Sequence, residues 1–542
     1  MLKQVTDFTK KYKVQLLFFS ILFIATIIRL VNLSTHPNGL NQDEASIGYD
    51  AWSILNYGID RNGNSYPVHL VAWGSGQNAL YAYLCMPFIS LLGLNTLSIR
   101  LPMVIFFILA TIGIYFIVKQ FFDKKTALIA MALYTFSPWT IMSSRWCIES
   151  SLYPPLFILA LWALIYSSKN KMFIYLAAII FSATLYSYGP AYLVTTLFCF
   201  FAFICFIVKK IIPLNHLILA GVLFVVLSLP IYLFVAINTF DLPEMHLFGV
   251  ITIPKEFNRM NSIFHGQSIS TFIENFVSVF ILQYDAQNRC SSSNFLFGCT
   301  YILSLPFWIY GIYISVKKKN LLTNLLLLLS AVSFLLLFIF SWVNTNRIGI
   351  IYVPTVIFAA IGISTFANNK QKLFYSAFLL YTVLFLSFCV CYFSPIYTNS
   401  KEYTEQFFTS YEQALLKAEE LDNNNTKTIY SDAFINMPYI YNLFYEQPNP
   451  YEFMENTVFY NTNDEFEAVY SYKNYIYTDK YIVKSYINNK NKDIKEYYSS
   501  DYALPGIHII NNFDTDKFME QVQKDKIKES YPFKNYSVIL VE

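Results

Sequence analysis

VQLLFFSILFIATIIRLVNL, residues 14–33, runs for twenty positions with a single charge, Arg29. As a helix that length crosses a bilayer core of about 30 Å. Runs of the same kind recur near residues 98–118, 126–142, 152–167, 173–190, 191–208, 217–237, 301–316, 321–341, 348–366 and 373–393. Eleven such segments predict a polytopic α-helical membrane protein. A twelfth, LYAYLCMPFISLLGL at 80–94, is short and carries Pro87 in its middle, which suits an interfacial or re-entrant helix better than a span.

The charges divide the chain in the same place. Of 542 residues, 13% are charged; residues 1–393 hold 36 of those charges, whereas the last 149 residues hold 37. A soluble domain averages about 25% charged residues, so only residues 394–542 have that composition. We therefore expect two parts: a membrane region, 1–393, and a soluble α/β domain, 394–542. The first carries 24 basic and 12 acidic residues and the second 14 and 23. A nucleic-acid partner does not fit this balance. The eight cysteines lie mostly in apolar segments and form no disulfide framework; only Cys290 and Cys299 have spacing that would suit a local bridge, and spacing alone does not establish one.

Lys and Arg favour the cytoplasmic side of short loops. If 80–94 does not cross, segments 1–13, 119–125, 167–172, 209–210, 317–319 and 367–372 all fall on one side, and their 16 basic residues are all Lys. This predicts a cytoplasmic N-terminus and an extracytoplasmic C-terminal domain. The seven arginines (29, 61, 100, 145, 259, 289 and 347) then all fall at the outer face, as do ten of the twelve acids of the membrane region. Guanidinium is a rigid bidentate partner for phosphate or carboxylate, although a few arginines also reach headgroups simply by snorkelling.

Two outer loops are long, about 34–97 and 238–300, and long loops commonly carry function. The first opens Asn41-Gln42-Asp43-Glu44-Ala45, after which Ile47, Ala51, Ile54 and Leu55 recur at helical spacing. We expect a short amphipathic helix on the outer surface, whose leading acids complement its dipole. A turn-rich stretch follows, then Trp73-Gly74-Ser75-Gly76-Gln77-Asn78, whose aromatic and amide groups suit a sugar-lined cavity or an aromatic belt. Farther on, Arg145 and Glu149 are four residues apart and could share a helix face. Arg347 precedes a span at the height of a lipid phosphate. The sequence contains no phosphate-binding glycine loop, no dinucleotide fingerprint, no HExxH and no CxxC, and its six histidines are scattered.

These pieces taken in order, NQDEA at 41–45, Gly58 with Gly63 and Pro67, Leu80-Tyr81, Gly93-Leu94, Arg100-Leu101-Pro102, Ser137-Pro138-Trp139 and Ser144-Arg145 with Glu149, resemble the GT-C glycosyltransferases. More narrowly they resemble bacterial relatives of the dolichyl-phosphate-mannose protein mannosyltransferases and the aminoarabinose transferases. The likeness runs over about 14–210 and loosely over 347–362. It implies an enzyme that moves a sugar from a polyprenyl-phosphate donor to an extracytoplasmic acceptor hydroxyl (on protein, lipid or glycan) with inversion. It further implies Asp43 as general base with Glu44 beside it, and Glu44 and Glu149 orienting the acceptor or holding a divalent cation. Arg347, Arg145 and Arg100 are the implied donor-phosphate ligands. One departure is Tyr186-Ser187-Tyr188-Gly189-Pro190-Ala191-Tyr192, which lacks the arginine that relatives often carry there.

The C-terminal domain matches no family by its residues. A helical stripe at Phe407, Tyr411, Leu415 and Ala418, strands at 428–430 and 536–541, and a helix at 437–444 are expected within it, as a cap over the site or as a scaffold. Two rival readings stand beside transfer: a flippase or transporter of lipid-linked saccharide, and a non-catalytic relative. The flippase predicts mid-membrane ionisable groups and two related halves, for which the sequence offers little.

Overall fold

The computed structural model describes residues 2–542 apart from 75, 257–267, 284–295, 423–425, 433–434, 460–466, 478–503 and 523–525. The first helix, α1 (Leu2–Leu30), leads into α2 (Gln42–Tyr57), a two-stranded ribbon of β1 (His69–Leu70) and β2 (Gln77–Asn78), and α3 (Leu80–Leu92). A bundle follows: α4 (Thr96–Lys119), α5 (Lys124–Phe136), α6 (Pro138–Ser143), α7 (Glu149–Tyr166), α8 (Phe173–Leu185), α9 (Pro190–Val208) and α10 (Leu214–Thr239). A hairpin of β3 (Met245–Leu247) and β4 (Ile251–Ile253) precedes α11 (Ile269–Phe276), which continues as a π-helical turn, Val277–Leu282. The bundle resumes with α12 (Ser304–Lys318), α13 (Leu321–Ser333), α14 (Leu335–Ile339), α15 (Thr345–Ile348), α16 (Tyr352–Asn369) and α17 (Gln371–Tyr392).

Among the described residues eight helical segments are long and apolar enough to cross a membrane; α8 and the continuous Ile269–Leu282 are apolar but shorter. Helices α5, α8 and α12 are shorter than the apolar runs they overlap. Ser137 is extended ahead of Pro138, which ends α5, and Pro190 starts α9 where the run around 173–190 is broken. The turns joining α4 to α5, α7 to α8, α9 to α10, α12 to α13 and α16 to α17 carry Lys as their only basic residue, and Lys318 over the Phe122 ring at 4.0 Å and Lys125 bonded to Asn368 at 3.2 Å tie three of them into one end of the bundle. Helices α12 and α16 cross where Gly311 meets Phe358 and Gly362 meets Phe307; a Cβ at either glycine would overlap the facing carbonyl oxygen. In a bilayer, where apolar burial cannot drive helix association, such close backbone approach is a main source of contact energy.

Beyond the last long helix come α18 (Pro395–Thr398), α19 (Lys401–Phe407), α20 (Tyr411–Leu421), β5 (Ile429–Asp432), α21 (Tyr439–Glu446), α22 (Pro450–Glu455), β6 (Thr457–Phe459), β7 (Val469–Tyr472), β8 (Tyr475–Tyr477), β9 (Gly506–Asn511), α23 (Thr515–Gln521), β10 (Ile527–Pro532) and β11 (Tyr536–Val541). Seven strands form one sheet in the order β10-β11-β9-β5-β8-β7-β6, parallel where β5 meets β8 and β9 and antiparallel elsewhere. The helical stripe expected at Phe407, Tyr411, Leu415 and Ala418 is shared by two helices, because Phe408 and Ser410 take positive φ between them. Tyr411, Ala414, Leu415 and Ala418 of α20 are buried, and α20 packs on β9 and β11.

This domain sits on the end of the bundle opposite the lysine turns. The amide of Asn41 donates to Gln406 O at 2.7 Å, Tyr441 donates to Leu40 O at 3.1 Å, and Tyr49 donates to Pro448 O at 2.7 Å. Helix α2 is therefore not a surface helix as its periodicity suggested: Glu44 to Ala51 are all buried, with Ser53 and Ile54, since α21 covers the side that sequence alone leaves to solvent. At the joint, Gly39 has φ +103° and a Cβ there would overlap Phe407 O. We predict that Gly39→Ala costs about 2 kcal/mol or more, through strain at that φ and displacement of α19, read as a lower unfolding temperature of the solubilised protein.

Candidate active site

The site begins with the cap of α2. Asn41 is extended (φ −77°, ψ 153°), its side chain accepts the Asp43 amide at 2.9 Å, and its own amide donates to Glu44 Oε2 at 3.1 Å. This capping box turns Asp43 and Glu44, neighbours in sequence, in different directions. Glu44 is fully buried. Its two oxygens take Arg100 Nε at 2.8 Å, Arg100 Nη2 at 2.9 Å and the Cys147 amide at 2.8 Å. Arg100 spends its remaining donors on Leu33 O, Pro37 O and Gly39 O at 2.9–3.1 Å.

Arg145 behaves in the same way. Fully buried, it donates to Ile28 O, Arg29 O, Val31 O and His36 O at 2.7–3.0 Å, closing the C-terminal end of α1. Arg29 holds Ala25 O, Thr135 O and Thr140 Oγ1. Arg100 and Arg145, two of the three arginines read from sequence as phosphate ligands, thus spend most of their donors on main-chain carbonyls, a use for which five fixed donors fit better than an ammonium. Among the described arginines only Arg347 is not fully buried. Its guanidinium lies 3.8 Å over the Trp342 ring, its amide is capped by Asn344 at 2.8 Å, and α15, which carries it, packs on α7. Arg259 and Arg289 lie outside the described residues, as does Cys290 and with it any bridge to Cys299.

Asp43 is half-buried. Its Oδ1 accepts Gln77 Nε2 at 3.3 Å. Next to Gln77, Asn78 Oδ1 accepts the Tyr192 hydroxyl at 2.8 Å, and Tyr192 lies within electrostatic reach of both Glu149 and Glu256. Glu149 opens α7 two residues after the Cys147 amide that touches Glu44, so one corner gathers Asp43, Gln77, Asn78, Tyr192, Glu149 and Glu256. Arg145 lies before α7 and Glu149 in its first turn, so the helix face expected to carry both does not exist.

Glu256 of this corner and its partner His69 are not singled out by the sequence reading. They come from different long loops and meet at 2.5 Å, both nearly buried, with the imidazole stacked 4.2 Å from Phe234. Behind Asp43, Arg61 pairs with Asp50 at 3.7 Å and lies 4.6 Å over the Trp73 ring. Burial pushes the neighbouring Asp60 carboxyl up to about 7, with Asp50 adding to the shift and hydrogen bonds from Asn64 and Asn62 opposing it. Glu44 does not suit a divalent cation, because its oxygens are already filled by four N–H donors. Among the described residues no three His, Cys, Asp or Glu side chains converge as a metal site.

An apolar groove of about 650 Å³ runs between α8, α9 and α10, lined by Ala178, Phe181, Phe203, Phe206, Gly221 and Val225 among others. Its polar end is Thr196, bonded to Tyr232 at 2.6 Å and to Tyr192 O at 2.5 Å. The groove thus reaches to within one helical turn of the polar corner.

Residues 78–234 match the model of the dolichyl-phosphate-mannose-protein mannosyltransferase family. No curated protein sequence matches the chain. In structure, ArnT from Cupriavidus metallidurans in the apo state superposes with TM-score 0.58 at 9% identity, over 96% of this chain and 97% of that one. The same protein bound to undecaprenyl phosphate gives 0.59 at 9%, over 97% and 98%. The archaeal oligosaccharyltransferase AglB from Archaeoglobus fulgidus, in complex with an inhibitory peptide and a dolichol-phosphate, gives 0.51 at 13%, over 95% and 71%. This chain is accordingly a multi-pass membrane protein with the GT-C fold of membrane glycosyltransferases, and its residues 78–234 carry the match to the mannosyltransferase family.

Proposed function

We propose that the chain transfers a sugar from a polyprenyl-phosphate donor to an acceptor hydroxyl at the extracytoplasmic face, with inversion, Asp43 acting as general base. The observation that carries this reading is the half-buried Asp43 carboxylate at the mouth of a polar corner, within a fold one of whose solved members holds undecaprenyl phosphate. Base catalysis needs a carboxylate within reach of the acceptor proton, and the departing phosphate needs fixed positive charge. Arg347 is the arginine to supply that charge, and Glu149, Tyr192 and Asn78 line the place where the acceptor or the sugar ring would sit. The donor's isoprenoid chain would lie in the groove of α8, α9 and α10, its head toward Tyr192.

In this reading Glu44, Arg100 and Arg145 act on the protein and not on the substrate: they fix the cap of α2 and the end of α1. The lysine turns face the cytoplasm by the positive-inside rule, and the C-terminal domain, outside, holds α2 from above.

The test is sugar transfer by the full chain in proteoliposomes, with a panel of radiolabelled undecaprenyl-phosphate hexoses and pentoses and host membranes as acceptor. Release of undecaprenyl phosphate coupled to labelled acceptor is expected from one donor; label that crosses the bilayer still attached to its lipid would support the flippase instead. Arg347→Ala is expected to cut kcat about 100-fold. Arg347→Lys should recover part of it, keeping charge without the planar fork.

A further inference from the structure

We infer that Gln77 is a positioning residue for Asp43, held in one amide orientation by a buried relay from Asp50 through Arg61 and Ser46; the inference rests on the reading of Asp43 as base. Asp50 meets the Arg61 guanidinium as an ion pair at 3.7 Å, and from Arg61 onward the relay is hydrogen-bonded. Arg61 Nη2 donates to Ser46 Oγ at 2.8 Å, Ser46 Oγ donates to Gln77 Oε1 at 2.7 Å, and Gln77 Nε2 donates to Asp43 Oδ1 at 3.3 Å. Gln77 is 4% exposed, and Ser46 and Arg61 are 0% exposed.

Each link has only one workable direction. Arg61 has donors and no acceptor, so Ser46 receives from it and directs its single proton to Gln77 Oε1. With Oε1 taken, the amide NH2 faces Asp43. The flipped amide would set Oε1 against a carboxylate and take the Ser46 proton's acceptor away. Arg61 cannot swing out of the relay, because Asp50 holds it from one side and also accepts its backbone amide at 3.1 Å, while Trp73 covers the guanidinium at 4.6 Å.

The geometry of α2 explains why a glutamine bridges here. Asp43 and Ser46 are three residues apart, on one face, and a single side chain arriving from β2 spans both. The ribbon that carries it is fixed in turn: His69 pairs in register with Asn78, and Leu70 with Gln77, and His69 is tied to Glu256 in the other long loop. Of the charged groups around this corner, Glu44 is paired with Arg100, Asp50 with Arg61 and Glu256 with His69, and Glu149 enters it from the first turn of α7. Gln77 therefore sets the rotation of the Asp43 carboxylate about its Cβ–Cγ bond while adding no charge of its own. A base presented at a fixed angle to the acceptor proton gains rate through orientation.

The test uses the full chain in nanodiscs, the undecaprenyl-phosphate sugar turned over in the panel above, and pH–rate profiles of Gln77→Ala, Gln77→Glu, Ser46→Ala and Asp43→Asn. Gln77→Ala and Ser46→Ala are expected to lower kcat about 5- to 10-fold with the donor KM within 2-fold of wild type. Gln77→Glu places a second carboxylate against Asp43 and is expected to move the acid limb of kcat upward by about one pH unit or more. As a substrate-free measurement, carbodiimide with glycine ethyl ester should label Asp43 up to a higher pH in Gln77→Ala than in wild type. The proposal is overturned if the Gln77→Glu profile and the labelling profile both superimpose on wild type, or if Gln77→Ala raises donor KM at unchanged kcat, which would make Gln77 a donor ligand. Wild-type turnover by Asp43→Asn would remove the base assignment itself. An inactive Asp43→Asn together with an unmoved Gln77→Glu profile removes only the positioning role.

Discussion

Asp43→Asn is expected to abolish sugar transfer, with kcat falling about 1,000-fold or more while the protein remains folded and the donor KM is little changed. The amide keeps the size of the carboxylate and still accepts from Gln77, so the geometry at the mouth of the corner survives. What disappears is proton-accepting capacity, and general-base catalysis is worth typically 10²- to 10⁴-fold, about 3–5 kcal/mol of barrier. Some stability is lost as well, because a carboxylate in the first turn of α2 complements the helix dipole, but a neutral residue there costs at most about 1 kcal/mol. Single-turnover label transfer and thermal unfolding of the same preparation read the two quantities separately. A variant that transfers at the wild-type rate would sink the base assignment.

The apolar runs and the start of α2 could be read directly because their determinants are local. Asn41 and Glu44 form a capping box within four residues, and a span needs only length and composition. The fate of the arginines could not be read in this way. Arg100 and Arg145 bind carbonyl oxygens of Leu33, Pro37, Gly39, Ile28, Arg29, Val31 and His36, and a carbonyl is the same in every residue, so no side-chain pattern announces the contact. The clustering of guanidinium at one end was a true signal, but what it marked for these two is the pinning of an irregular chain where it leaves the membrane and its carbonyls lack helical partners. The remaining misses are matters of distance along the chain. Gln77 reaches Asp43 across 34 residues and Glu256 reaches His69 across 187. The burial of α2 depends on α21, some 400 residues later. Periodicity reports which face of a helix is apolar, not whether a distant domain will cover its polar face; on that face of α2, Ser46 donates to Gln77, Ser53 donates to Ile59 O, and Asp50 accepts the Arg61 amide and faces its guanidinium at 3.7 Å.

Glu44→Ala is expected to behave oppositely to Asp43→Asn although the two residues are adjacent: its first effect is on folding. The Glu44 carboxylate collects four N–H donors, two from Arg100 and one each from the amides of Asn41 and Cys147, and thereby fastens α2 to α4 and to the segment entering α7. Removing it leaves the Arg100 guanidinium buried without its counter-charge. Deleting one partner of a buried pair typically costs about 3–5 kcal/mol, and the orphaned amides add to that. The unfolding temperature of the solubilised protein should drop by about 5 °C or more. Glu44→Gln should also destabilise, because an amide NH2 would then face donors. Glu44→Gln combined with Arg100→Met should be less damaging than the sum of the two single changes, since no unpaired charge remains. The comparison also decides what Glu44 does. If Glu44→Gln retained the wild-type unfolding temperature and lost transfer as completely as Asp43→Asn, then Glu44 would belong to the chemistry. If transfer in the surviving folded fraction stays close to wild type, the second acid of the pair holds the first in place, and only Asp43 meets the substrate.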